Sequence, residues 1–467
     1  VSLVEVPEDA EDGITLLTEP RDGLPPVVDT PTALAAAIER LAGGTGPVAV
    51  DAERASGYRY GQRAYLVQLR RAGSGTVLVD PDPLRDLSAL GDALAPCEWI
   101  LHAASQDLAC LAEVGMVPRE LFDTELAARL AGYERVGLAA LTEGLLGLRL
   151  EKGHSAADWS TRPLPEPWLR YAALDVELLI PLRERLDADL VEQGKREWAA
   201  QEFAAVLAAR PAAPRADPWR RTSGIHRVRS PRQIAAVRAL WEARDELARA
   251  RDVAPGRVLP DSSIIAAATS APADRAALAA LPVFGGPRMR RHLDRWWAAL
   301  TAAAALPDSE LPPVVSAGDG PPPVARWPDR DPAAAARLAR MREALGALAT
   351  AHRLPVENLL EPALARRVAW SPPEPPTAAA IAAVLASGGA RPWQVEVCLP
   401  ALVDALTLAA DPGPVDPGPV DPGPVDPGPV DPGPVDPTPE PGDRAGVTTP
   451  FAEDSPVRSG LTGPPGG

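Results

Sequence analysis

Carboxylates carry the chemistry this sequence could do. The run Val48-Ala49-Val50-Asp51-Ala52-Glu53 takes three small apolar residues straight into two acids spaced i, i+2. In an extended strand, positions i and i+2 point to one face, so Asp51 and Glu53 project together from the end of a buried strand. Two adjacent carboxylates repel and cost desolvation energy, which calls for a counter-ion. A hard divalent cation held by oxygen ligands is the natural one. Alone, such a pair is what many strand ends show on entering a polar loop. Its weight comes from matching acids downstream. Trp99-Ile100-Leu101-His102-Ala103-Ala104 reads as a short buried strand, with Ser105 as an N-cap and Asp107 in the first turn of the next helix. Trp168 to Leu179 has helical periodicity, which places Tyr171 and Asp175 on one face. An aspartate turned inward among Leu174, Leu178 and Leu179 needs a partner.

Asp51 and Glu53, then Asp107, then Tyr171 four residues before Asp175 match in order and type the three exonuclease motifs of the DEDD superfamily, tyrosine subtype. The segments Asp158-Trp159-Ser160-Thr161-Arg162-Pro163-Leu164, Tyr171-Ala172-Ala173-Leu174-Asp175-Val176 and His102-Ala103-Ala104-Ser105-Gln106-Asp107 resemble ribonuclease D in particular, over residues 26–305. The resemblance implies a ribonuclease-H-like α/β domain with a mixed sheet. It also implies hydrolysis from the 3′ end of RNA, releasing nucleoside 5′-monophosphates. Asp51, Glu53, Asp107 and Asp175 become the ligands of two divalent cations, Mg²⁺ or Mn²⁺, since four carboxylates favour these ions over zinc. A pair bridged by Asp51 lets one ion activate the attacking water and the other stabilise the leaving 3′-oxygen. Tyr171 takes the family's water-positioning role, and an ordinary phenol pKa of about 10 suits an orienter better than a base.

Other candidates fit less well. His154 lies too far before Asp175 for the histidine subtype and reads as a loop residue. His102 ends a strand and reads as packed or hydrogen-bonded support. Asp123 reads as the cap of a helix starting at Thr124. No nucleophile elbow surrounds Ser105. Arg162 fits either a contact to the substrate backbone or a structural salt bridge.

A formal charge of -16 seems wrong for a nucleic-acid enzyme until it is located. Residues 1–30 carry eight acids and one Arg, and residues 411–467 carry ten acids and two Arg. Residues 215–305 run the other way, with sixteen Arg against eight acids. A basic module between acidic ends suits a polyanionic substrate. Within it, Arg288, Arg290, Arg291 and Arg295 crowd one helix beside Trp296 and Trp297, a candidate phosphate-contacting surface whose alternative is a solvated face over core tryptophans. Cys97, Cys110 and Cys398 lack metal-ligand spacing and imply no disulfide framework, which points to a reducing cytoplasm. No apolar run reaches the roughly 20 residues that span a bilayer.

Residues 1–25 read as a disordered acidic leader and 26–207 as the exonuclease domain. Its expected strands are Val48–Glu53, Ala64–Arg70, Thr76–Val79 and Trp99–Ala103, and its last expected helix is Pro167–Leu190. Residues 208–227 read as a Pro-rich linker. Residues 228–305 resemble an HRDC module, a small helical bundle, with a last helix from Pro287 to Leu300. After a linker at 306–325, residues 326–409 repeat the HRDC outline and suggest a second such bundle. Residues 410–467 hold five copies of Asp-Pro-Gly-Pro-Val and read as a disordered acidic tail. The expected partner is RNA with free 3′ ends, such as tRNA precursors, acted on by a monomer away from any membrane. DNA is the alternative substrate, and a catalytically inactive binding protein is the third reading. Neither a polymerase region nor a Walker-type phosphate loop is present, which favours RNA.

Overall fold

Apolar runs of Val, Leu and Ala build a sheet buried on both sides. The computed structural model describes residues 14–150, 153–154, 156–209, 215–314 and 320–407, the Arg288 side chain excepted. Residues 1–13 of the expected leader at 1–25, and all of the expected tail at 410–467, lie outside the described residues. The main sheet comprises β2 (Val27–Val28), β3 (Thr45–Arg54), β4 (Ala64–Ala72), β5 (Gly75–Val79), β6 (Glu98–Leu101) and β7 (Glu120–Asp123), in the order β2-β5-β4-β3-β6-β7. β3, β4 and β5 form the antiparallel meander expected from their glycine-containing connections, and β2, β6 and β7 join in parallel. Helices cover both faces, giving the ribonuclease-H-like architecture. Alternation along β3 sorts its side chains: Val48, Val50 and Ala52 enter the large core beneath the helices Pro31–Ala42 and Ser88–Leu94. Ala49, Asp51 and Glu53 face the helix Glu166–Glu177.

Within the expected leader, residues 14–25 are tied into the fold. β1 (Thr15–Leu17) pairs in parallel with β8 (Leu148–Leu150), the Arg21 backbone N–H donates to the Glu177 carboxylate, and Arg70 bonds Asp22 at 2.9 Å. The expected helix Pro167–Leu190 breaks at Leu178 into Glu166–Glu177 and Leu179–Glu192. Pro181 has no N–H to offer the Glu177 carbonyl, so a continuous helix cannot form there.

Of the expected linker at 208–227, residues 218–227 join the next bundle. Trp219 is buried in its core with Val228, Ile234 and Trp296, and residues 210–214 lie outside the described residues. Ser230 caps the long helix Pro231–Arg251, its side chain accepting from the Gln233 N–H. The expected helix Pro287–Leu300 is interrupted at Arg291-His292, so the arginines sit on Pro287–Arg290 and Leu293–Ala304 with the turn between. This bundle docks on the loop that follows β3. Tyr60 donates its hydroxyl to Asp245 at 2.9 Å, the Ala254 N–H donates to the Tyr58 carbonyl, and Arg257 Nε donates to the Gly57 carbonyl at 2.7 Å.

The last helices follow the same outline. Pro231–Arg251 and Pro332–His352 both end on a residue of positive φ, Asp252 and Arg353 (50° and 52°). A single-turn helix follows each, Pro255–Val258 and Val356–Leu359. The second bundle differs in its packing, because its core is continuous with that of the nuclease. Trp198 stacks on Trp393 with centroids 4.6 Å apart, and Trp393 Nε1 donates to buried Glu202. Lys195 Nζ donates to both the Leu130 and His352 carbonyls.

Candidate active site

Small residues bring two elements close enough to make a site. Ala172, Ala173 and Val176 of the helix Glu166–Glu177 are fully buried, which seats that helix against the sheet. Tyr171 and Asp175 then face the end of β3. Carboxylate oxygens of Asp51, Glu53 and Asp175 all lie within 4.8 Å of one another. Glu53 is 8% exposed and Asp175 9%. Burial, followed by repulsion from neighbouring carboxylates, holds the Glu53 and Asp175 carboxyls well above their ordinary range. Tyr171 shares a hydrogen bond with Asp175, and burial together with these carboxylates raises its phenol too. Gln68, paired opposite Asp51 across β3 and β4, is fully buried with neither amide atom partnered. The donor set is oxygen-only, crowded and short of compensating positive charge. It fits a hard divalent cation.

Asp107 reaches the site by a different route from the one expected. Ala103 adopts a left-handed conformation, Ala104–Gln106 is a 3₁₀ turn, and Asp107 itself begins the helix Leu108–Glu113, so Ser105 caps nothing. The turn is held by Asp123, whose carboxylate accepts from the Ala103 and Ala104 N–H groups while also capping the helix Thr124–Ala131. Asp107 stands outside the three-carboxylate nest and is paired with Arg54 at 3.3 Å. Burial and then Asp51 push its carboxyl up to about 8. His102 Nδ1 lies 2.9 Å from Thr124 Oγ1, and burial lowers its pKa to about 4, which keeps the ring neutral. His154 lies in a loop with its ring edge-on to Tyr171, centroids 6.1 Å apart.

Family models place these features in sequence. Residues 25–191 match a 3′-5′ exonuclease model, 233–300 an HRDC domain, and 320–406 a 3′ to 5′ exonuclease C-terminal domain. A ribonuclease D from Acidiphilium cryptum is 36% identical over 299 residues, covering 62% of this chain and 74% of that protein. The chain belongs to the ribonuclease D family. Ribonuclease D of Escherichia coli K12 is 31% identical over 57% of this chain and 71% of its own. A crystal structure of a Bifidobacterium adolescentis protein superposes with a TM-score of 0.77 at 40% identity, covering 84% of this chain and 99% of that one. The E. coli ribonuclease D structure shares the fold, with a TM-score of 0.60 at 24% identity over 82% of this chain and 98% of that chain. As a ribonuclease D, the chain is a 3′-5′ exoribonuclease, a hydrolase of phosphodiester bonds.

The arginine expectations divide. The Arg162 guanidinium is engaged within the fold: its five donors go to both Asp80 oxygens and to the carbonyls of Tyr65, Trp159 and Thr161, at 2.6–2.8 Å. A fully satisfied guanidinium has none left for a phosphate. It clamps the loop before the Tyr171 helix onto the sheet. Arg290 and Arg291 are exposed, and Arg295 pairs with Glu246 at 3.0 Å. The Arg288 side chain lies outside the described residues. Trp296 is fully buried and belongs to the core of its bundle. Three residues were not anticipated: Arg54 beside Asp107, the Asp123 brace under the Ala103 turn, and Gln68. A strand-end Asp immediately before a helix is a generic cap signal, and nothing in it announces the second pair of bonds.

Proposed function

We propose that this exoribonuclease removes 3′-terminal nucleotides from RNA as 5′-monophosphates at the Asp51–Glu53–Asp175 nest, with Asp107 completing the ligand set of two divalent cations, Mg²⁺ or Mn²⁺. The observation that carries the reading is the convergence of three carboxylates, half-buried Asp51 and buried Glu53 and Asp175, within 4.8 Å beside the Tyr171 hydroxyl. When bound, the cations supply Lewis-acid activation of the attacking water and charge stabilisation at the departing 3′-oxygen. The chain's own residues do the rest. Asp51 and Glu53 on β3, Asp175 on the facing helix and Asp107 from its braced turn would hold the cations. Tyr171, with a phenol raised by burial and then by its carboxylate neighbours, keeps its proton and orients the attacking water. The exposed Arg290 and Arg291 give the HRDC module a phosphate-contacting face.

Structured RNAs such as tRNA precursors are the substrates we favour, as the solved E. coli relative is described as an exoribonuclease involved in structured RNA processing. We place the activity in the cytoplasm. Cys97, Cys110 and Cys398 are all free and buried, and no described helix is long and apolar enough to cross a membrane. The helices of residues 327–407 we read as a divergent copy of the HRDC outline. The test is release of mononucleotides from a 3′-tailed RNA and the matched DNA, with Mg²⁺ or with EDTA. Mg²⁺-dependent release of 5′-monophosphates from RNA is expected. Release undiminished by EDTA, or preference for the DNA, would refute the reading.

A further inference from the structure

Arg54 follows Glu53, and strict alternation along β3 would turn it away from the face bearing Asp51 and Glu53. The β3–β4 register shifts between these two residues, and a bulge of this kind re-aims the side chain beyond it. Arg54 Nη2 comes within 3.3 Å of Asp107 Oδ1, with 26% of the Arg54 side chain and 8% of the Asp107 side chain exposed. The guanidinium charge opposes the upward push of burial on Asp51, Glu53 and Asp107 alike. The nest is thus asymmetric. Asp51, Glu53 and Asp175 have no built-in cation between them, whereas Asp107 already has one.

We propose that Arg54 is the resident counter-ion of Asp107, so that a second divalent cation reaches Asp107 only in competition with this guanidinium. The inference rests on the two-cation reading above. It makes Arg54 a positioning residue that sets the order of loading: the three-carboxylate nest fills first and the Asp107 position second, against a like charge. Two positive charges about 4 Å apart repel by several times the thermal energy even at an effective dielectric of about 20. Removing one should therefore tighten the weaker cation by about tenfold or more.

Mn²⁺ binding to the full-length protein without RNA, followed by calorimetry and by the electron paramagnetic resonance of free Mn²⁺, tests this. Wild type should show a tighter and a weaker event. In Arg54→Gln the weaker event should tighten about tenfold while the tighter one stays put, and Arg54→Lys, which keeps the charge, should resemble wild type. A merely structural role for Arg54 would move both events together. In the wild-type protein, the Arg54 Nε–Hε NMR signal, assigned by its loss in Arg54→Lys, should shift in the second step of a Mg²⁺ titration and not in the first. Two events with the second unchanged or weakened in Arg54→Gln, or an Arg54 signal that shifts with the first step, would overturn the inference and leave the two-cation reading standing. A single event in all three proteins would overturn both.

Discussion

Three carboxylates crowded without a cation should store destabilisation, and Asp175→Asn should release it. The change keeps the side-chain shape and the acceptor oxygen that Tyr171 meets, and it removes one charge. Two carboxylates with oxygens at most 4.8 Å apart repel by roughly 3 kcal/mol at an effective dielectric of about 20. Protonation relieves part of this, because burial and neighbouring charge raise the folded-state pKa of Glu53, Asp107 and Asp175 above their unfolded values. The folded chain therefore binds more protons than the unfolded one. The stability these groups contribute is full below their unfolded values near 4 and is lost as pH rises through their folded values, about 8 for Asp107. At pH 8 in EDTA, Asp175→Asn should be more stable than wild type by about 1–2 kcal/mol, or some 2–3 °C in Tm for a nuclease whose core continues into the last bundle. Near pH 5 the gap should close. Added Mn²⁺ should raise the wild-type Tm strongly and that of the variant little. Thermal melts at the two pH values, with EDTA and with Mn²⁺, read all of this. A variant less stable than wild type at pH 8 in EDTA, or a gap of equal size at pH 5, would refute the argument.

Three further outcomes follow from the same geometry. Asp51→Ala should abolish turnover at any practical Mg²⁺ concentration, whereas Tyr171→Phe should lower kcat by about 10²-fold with Mn²⁺ and RNA affinity unchanged, as steady-state kinetics and direct binding will tell. Arg162→Met should leave RNA affinity alone and destabilise the fold by about 3 kcal/mol, since it strands the buried Asp80 carboxylate; chemical denaturation measures it. Replacing Arg290 and Arg291 by Gln should weaken RNA binding and flatten its dependence on salt by about two counter-ions, with turnover at saturation intact.

Legibility in the sequence followed the range of the interactions. Asp51 and Glu53 could be read together because a strand fixes i and i+2, and Tyr171 with Asp175 because a helix fixes i and i+4. Their convergence across more than a hundred residues was carried by the family resemblance, since no local rule relates β3 to the Tyr171 helix. Arg162 was undecidable for the same reason: its partner Asp80 lies 82 residues away. β1 was missed because its only strand partner among the described residues is β8, and an acidic segment with prolines gives no periodicity of its own. Arg54 depended on a register shift that alternation does not foresee. The break at Leu178 was readable, as Pro181 forbids the bond that a continuous helix needs.

The continuity between the nuclease core and the last bundle bears on how the chain is made. The apolar face of the helix Arg196–Ala208 is closed by Trp393, and Lys195 finds one of its two acceptors at His352. On the ribosome, a nascent chain that has emerged as far as the HRDC module still presents Trp198 uncovered and half of that buried lysine unmatched. Completion of the nuclease therefore waits on almost two hundred residues synthesised after it. For an enzyme that attacks RNA from its ends, this ordering ties completion of the nuclease to synthesis of its last bundle.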